Sequence, residues 1–226
     1  MARAASQDGT EILAATPHVR EDYPTSADTV EGLVAALESE LAAAGIPLEV
    51  RTGGEIALDR LAELPPEELA RFGLAGNPRY LLVEFPYYGW PLDLAFRLGR
   101  LQASGVTPVL AHPERNFEVQ EKPELLRPLV ESGALVQLTA ASLDGRIGRR
   151  SRATARALLE LALAHLVASD AHAPDVRSIG LSSVASAVGD PELARWLVEG
   201  VPRAIVEDGA LPARPAKPRR RFSRRR

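Results

Sequence analysis

The 226-residue chain has no cysteine, so disulfides and thiolate metal ligands are excluded. Any bound metal must therefore be held by His, Asp and Glu, a donor set that suits Mn²⁺, Fe or Zn²⁺ better than a soft metal. Aromatic residues make up only 5% of the chain and do not interleave with bases, so no specific nucleic-acid partner is expected. No apolar run approaches the roughly 18 residues of a membrane span, and no secretory leader is visible; a cytoplasmic protein is the expectation. G-x-S-x-G, P-loop and G-x-G-x-x-G patterns are all missing, which leaves serine-hydrolase, nucleoside-triphosphatase and dinucleotide readings without support.

What is present fits one globular domain, with 46% hydrophobic and 25% charged residues. The formal net charge of −3 conceals an asymmetry, because residues 213–226 (ARPAKPRRRFSRRR) carry eight Lys/Arg and no acid. Residues 1–212 are thus the expected domain, and 213–226 the expected disordered basic tail. Such a tail is either simply solvated or a contact for anionic membrane headgroups.

Strand-like and helix-like stretches alternate, which predicts an α/β fold with a parallel sheet. Strands are expected over 10–16, 48–54, 79–84, 106–111, 134–139 and 165–169, and ARAASQD reads as the end of a helix. In 28–44, Asp28 and Glu31 suggest a capping box. Val30, Leu33, Val34, Leu37 and Leu41 share one face, and Gly45 supplies the stop. Further helices are expected over 66–71, 92–104, 123–132 and 152–164, with two closing helices in 191–207 split by Gly200 and Pro202. The strand count falls one short of a closed barrel, and the absent strand is expected at the N-terminal side.

The ends of these strands carry the chemistry. EILAATPH brings His18, LEVRTGGE brings Glu55, RYLLVE brings Glu84, TPVLAH brings His112, and HLVASDAH brings Asp170 and His172. In a parallel sheet such ends share one face, so distant residues converge on one rim. Each has an ordinary alternative: a rim histidine, a helix-capping Asp170, a Glu84 paired with a neighbouring arginine. Their joint occurrence points to a polynuclear metal site. Arg115, three residues after His112, and Arg177, five after His172, are candidate phosphate clamps, with surface ion pairing as the alternative. Glu114 is expected to face solvent. Gly53 and Gly54 are expected to allow close backbone approach to a ligand or cation. His165 starts a strand and is expected to be structural, on the opposite face. Tyr87, Tyr88 and Trp90 either flank an aromatic substrate group or pack their own loop.

With ATPH, GGEI, LLVEFP, AHPERN and SDAH in this order, the chain resembles the polymerase-and-histidinol-phosphatase (PHP) superfamily over residues 1 to about 212. More narrowly, it resembles the bacterial manganese-dependent protein-tyrosine phosphatases of capsular and exopolysaccharide loci. The resemblance implies a distorted (β/α)7 barrel with up to three Mn²⁺ ions, Fe or Zn²⁺ being alternatives. It places His18, Glu55, Glu84, His112, Asp170 and His172 at metal-ligand positions and Arg115 and Arg177 at phosphate-binding positions. The implied substrate is phosphotyrosine in the tail of a membrane tyrosine autokinase that governs polysaccharide export.

Two departures accompany the resemblance. The family's opening His-x-His strand is missing, and Val19 stands where a second histidine often follows ATPH. The first departure leads to the expectation that Met1 is an internal methionine, with a strand encoded roughly 25 residues upstream. Without that strand, exposed edges would favour oligomerisation and activity would be weak. The alternatives to a phosphotyrosine hydrolase are a non-catalytic domain that binds phosphotyrosine tails or a kinase, and a PHP phosphatase acting on a small phosphate ester.

Overall fold

Short apolar runs alternating with amphipathic stretches build a parallel sheet in the computed structural model, which describes residues 1–174 and 179–216. The strands are β1 (Ile12–Ala14), β2 (His18–Val19), β3 (Glu49–Arg51), β4 (Glu55–Ala57), β5 (Tyr80–Glu84), β6 (Thr107–Ala111), β7 (Leu135–Thr139) and β8 (Leu166–Ala168). All pairings are parallel, in the order β2-β4-β5-β6-β7-β8, with β1 alongside β3. Pro17 falls in the break between β1 and β2, just past the strand expected over 10–16, and Gly53-Gly54, the end of the strand expected over 48–54, fall between β3 and β4. The ladder nonetheless bridges the break, because Ala15 N–H donates to the Arg51 carbonyl (2.8 Å) and Glu55 N–H to the Pro17 carbonyl (2.9 Å). β1/β2 and β3/β4 therefore act as two longer ribbons, each bent in the middle.

Each ribbon lies beside the next one in the chain, the winding of a (β/α) barrel, but closure is not reached. Among the described residues β1 and β8 each keep an unpaired edge. Between them lies a cavity of about 720 Å³, lined by Ile12, Leu13, Leu166, Val167, Val198 and Ile205. The central strands are covered on both faces, as their near-continuous apolar runs require. Val83, Val109, Leu110, Val136 and Leu138 are fully buried, each stabilising the fold by about 1.5–3 kcal/mol relative to exposure.

Several local expectations change. The helix expected over 28–44 spans Ala27–Ala43, and its N-cap is Ser26, whose hydroxyl accepts from Thr29 N–H at 3.2 Å. Asp28 and Glu31 form no capping box. Both accept from Arg71 of the helix Pro66–Arg71 instead. Val30 and Leu41 are buried, but Leu33 and Leu37 are 67% and 41% exposed. The buried stripe runs through Ala27, Val30 and Leu41 with Val34 half-buried between them, because this helix packs at the edge of the sheet, where Leu41 meets Ala5, Leu48 and Val50. Residues 191–206 form two short helices joined by a π turn at Trp196–Gly200 rather than broken by Gly200 and Pro202. No helix among the described residues is long and apolar enough to cross a membrane.

The start of the basic run is held by the body. Arg214 donates to the carbonyls of Ala164 (2.6 Å) and Leu159 (2.9 Å), with its guanidinium 5.3 Å from the centre of the Trp196 ring. Trp196 Nε1–H donates to the Pro212 carbonyl at 2.9 Å. The packed part thus runs past the expected boundary at 212, while residues 217–226 lie outside the described residues.

His165 precedes β8 and sits away from the rim, as expected for a structural residue. Its Nδ1 accepts from Val136 N–H at 3.1 Å. Burial, reinforced by the nearby Arg214 cation, pushes its pKa down from 6.5 to about 4. Between these values the unfolded chain takes up a proton that the fold resists, so stability is full above pH 6.5 and falls towards pH 4. The loss is on the order of 2 kcal/mol for this partly exposed ring. His165→Gln should therefore flatten the fall of melting temperature with acidification across that window. A slope equal to that of the unaltered protein would contradict the assignment.

Candidate metal centre

The candidate residues meet at one rim of the sheet, although not all at strand ends. His18 opens β2 and Glu55 opens β4, and the two are register partners. Glu84 closes β5 beside Ala57 of β4. His18, Glu55 and Glu84 each bring one ligand atom within 4.8 Å of the others. His112 follows β6, and its Nε2 lies 2.8 Å from Glu55 Oε1 in a fully buried pair. The His18 and His172 rings meet edge to face with centroids 5.9 Å apart, and His172 Nδ1 lies 3.0 Å from the carbonyl of Asp170. Arg115 Nη2 donates to the Asp170 carboxylate. The structure thus gathers His18, Glu55 and Glu84 into one group, with His112 against Glu55, His172 against His18 and Asp170 against Arg115, while Arg177 lies outside the described residues.

Backbone geometry sets the aim of two of these side chains. His112 and Asp170 have φ of +38° and +49°, left-handed values that non-glycine residues adopt at a cost of about 1–3 kcal/mol and that concentrate at functional sites. In both cases the turn redirects a side chain immediately after a strand.

The electrostatics fit a cation site. Burial alone would raise the pKa of Glu55. The His112 hydrogen bond, together with the charges of His112, His18 and Arg115, outweighs this and holds it below the ordinary value. Arg20 Nη1 donates to Glu84 Oε1 at 3.0 Å. Arg115 is buried, which by itself lowers its pKa, but Asp170 and Glu114 more than compensate and it stays charged. His18 Nδ1 and His112 Nδ1 are buried with no hydrogen-bond partner. Buried imidazole nitrogens without a hydrogen bond, His18 Nδ1 lying 3.7 Å from Glu84 Oε2, are costly as they stand and are what a borderline divalent cation binds. The residues present therefore fit a metal.

Three contributors, Arg20, Thr139 and Glu114, were not legible as site residues. Arg20, two positions beyond His18, reaches the same carboxylate cluster; the i,i+2 spacing on an extended run was its signal. Thr139 closes β7, and its hydroxyl accepts from Arg115 Nη2 at 2.7 Å, giving β7 the rim residue it lacked. Glu114, expected in solvent, is fully buried: Oε1 accepts from Thr139 N–H (3.0 Å) and Ser142 Oγ–H (2.6 Å). The left-handed turn at His112 carries the 3₁₀ turn Pro113–Arg115 over the end of β7 and points Glu114 inward. Tyr87 is the aromatic that reaches the site, its ring stacked on His112 (5.9 Å, 11°) and its hydroxyl accepting from Arg115 Nη1 at 3.4 Å. Tyr88 stacks instead on Phe117, and Trp90 packs against Phe85.

Gly54 serves packing rather than ligand approach. A Cβ there would lie 2.7 Å from Phe72 Cδ1 and 3.1 Å from Ile56 Cδ1, two fully buried side chains. Gly54→Ala should cost on the order of 1–3 kcal/mol in denaturant unfolding. A change below about 0.5 kcal/mol would show that the Phe72 pocket gives way.

The family described as "Capsular polysaccharide synthesis, CpsB/CapC" matches residues 1–191. The chain belongs to this CpsB/CapC family. Tyrosine-protein phosphatase YwqE of Bacillus subtilis (strain 168) is 39% identical over 175 residues, covering 76% of this chain and 68% of that protein. Tyrosine-protein phosphatase CpsB of Streptococcus agalactiae serotype III (strain NEM316) is 27% identical over 179 residues, covering 76% and 72%. A crystal structure from work on YwqE of Bacillus subtilis and CpsB of Streptococcus pneumoniae, presented there as unique metal-dependent tyrosine phosphatases, is 32% identical. It matches with a TM-score of 0.84 over 96% of this chain and 90% of that one. The parallel α/β architecture is thus that of the CpsB/CapC phosphatases.

Proposed function

We propose that this CpsB/CapC chain is a metal-dependent hydrolase of phosphotyrosine in protein substrates. The observation that carries the reading is the grouping of His18, Glu55 and Glu84 at one rim, adjoined by His112, His172, Asp170 and the buried Arg115, with two imidazole nitrogens left without a hydrogen bond. His18, Glu55, Glu84, His112, Asp170 and His172 are the residues that would hold the metal, Mn²⁺ by preference and up to three ions. When bound, such cations supply Lewis acidity and lower the pKa of water. Arg115 grips the phosphoryl oxygens, held in place by Thr139 and Tyr87, and Arg177 is its proposed second clamp. The Tyr87 ring, layered on His112, offers an aromatic wall to the leaving phenol.

In the same reading the substrate is the tail of a membrane tyrosine autokinase that controls polysaccharide export, met in the cytoplasm. The basic run beyond residue 216 suits contact with anionic headgroups. A seventh parallel strand would fit the apolar cavity between β1 and β8 and close the sheet as a distorted (β/α)7 barrel.

The test is hydrolysis of a phosphotyrosine peptide by purified protein loaded with Mn²⁺ and by the same protein after chelation, with metal content measured in parallel. Chelator-sensitive release of phosphate is expected. A second reading, a non-catalytic phosphotyrosine-binding domain, draws on the guanidinium groups of Arg20 and Arg115 already seated on Glu84 and Asp170. Retained peptide binding without metal uptake or turnover would favour it.

A further inference from the structure

Glu114 is a carboxylate with no solvent contact, lying between the candidate clamp Arg115 and the end of β7. Its Oε1 takes two hydrogen bonds, from Thr139 N–H and Ser142 Oγ–H, while Oε2 is buried with no partner. A buried carboxylate left half satisfied is expensive, and a fold keeps one only where something compensates. Here the neighbouring guanidinium supplies the opposite charge. Thr139 is the shared node: its N–H binds Glu114, and its hydroxyl receives Arg115 Nη2 at 2.7 Å. Gln120 Nε2–H donates to the Glu114 carbonyl at 3.0 Å and fixes the same turn from the other side.

We infer that Glu114 is the positioning residue for Arg115: by locking Thr139 it sets the guanidinium at the angle needed to grip a phosphate group. The Glu114 carboxylate hydrogen-bonds to Thr139 and Ser142, neither of them a proposed metal ligand or clamp. It acts through Thr139, and a misplaced clamp loses the bidentate geometry that distinguishes arginine from a point charge. The inference rests on the proposed role of Arg115 in phosphate binding.

The test measures binding of inorganic phosphate to Mn²⁺-loaded protein by calorimetry, beside phosphotyrosine-peptide hydrolysis, in a double-mutant cycle of Glu114→Ala and Arg115→Ala. Glu114→Ala should weaken phosphate binding about tenfold, and KM for the peptide should rise by a similar factor, with metal content unchanged. In the Arg115→Ala background it should have almost no further effect, because the group it positions is gone. Glu114→Gln keeps an oxygen for Thr139 N–H and Ser142 Oγ–H and should restore binding to within about threefold. An equal loss in both backgrounds would mark Glu114 as merely structural and overturn the inference. If Glu114→Ala does not fold, Thr139→Val decides: it removes only the hydroxyl, and an unchanged phosphate affinity would equally overturn it. Unaltered protein that binds phosphate but hydrolyses no phosphotyrosine would defeat the enzymatic reading alone and leave this cycle readable.

Discussion

His112→Ala should give a protein that holds less metal and hydrolyses phosphotyrosine at least a hundredfold more slowly. The effect is large because His112 does two things at once. Its Nε2 meets Glu55 Oε1 at 2.8 Å in a pair closed to solvent, and its Nδ1 is buried without a partner. Removing the ring deletes a proposed ligand and strips Glu55 of the hydrogen bond and charge that, together with His18 and Arg115, outweigh its burial. The Glu55 pKa then moves up, and a protonated Glu55 is a poor ligand for a cation. Two donors weaken through one substitution. Asp170→Ala should act in the same direction, since it too removes a carboxylate from the rim. Elemental analysis and steady-state kinetics check both variants, and full metal occupancy with unchanged kcat/KM would remove His112 from the centre.

How much of this was legible in the sequence depends on the range of the interactions involved. The sheet was readable because LLV in β5 and PVL in β6 are short apolar runs bounded by turn residues. The rim was readable because parallel strands bring their ends to one face. That is why His112, Glu84 and Asp170 fall where the spacing puts them. His18 and Glu55 open strands rather than close them, since Pro17 and Gly53-Gly54 bend the ribbons just before each residue; the sequence shows the breakers but not that the ladder resumes beyond them. Glu114 was misread because an acidic residue after a strand usually faces water. Its burial follows from a left-handed turn at the preceding histidine, a conformation that non-glycine residues rarely announce. Gly54 and Arg214 depend on contacts with Phe72 and Trp196, which lie far enough away that only the folded chain brings them together.

Arg115→Ala should produce the opposite pattern to the histidine variant: metal retained, substrate handling lost. Arg115 donates to Asp170 and Thr139 and reaches the Tyr87 hydroxyl, all from a nearly buried position. Its guanidinium competes with any cation for Asp170, so deleting it should leave metal affinity equal or higher. The phosphate loses a charge-assisted bidentate partner worth about 1.5–3 kcal/mol, so kcat/KM should fall roughly tenfold to a hundredfold, through both a higher KM and a lower kcat. Arg115→Lys should recover little of this, because an ammonium cannot bridge Thr139 and a phosphate in the fixed plane that the guanidinium provides. Unchanged kinetics in Arg115→Ala would remove the clamp from the mechanism, and a loss of metal would make Arg115 a scaffold for Asp170 rather than a partner of the substrate.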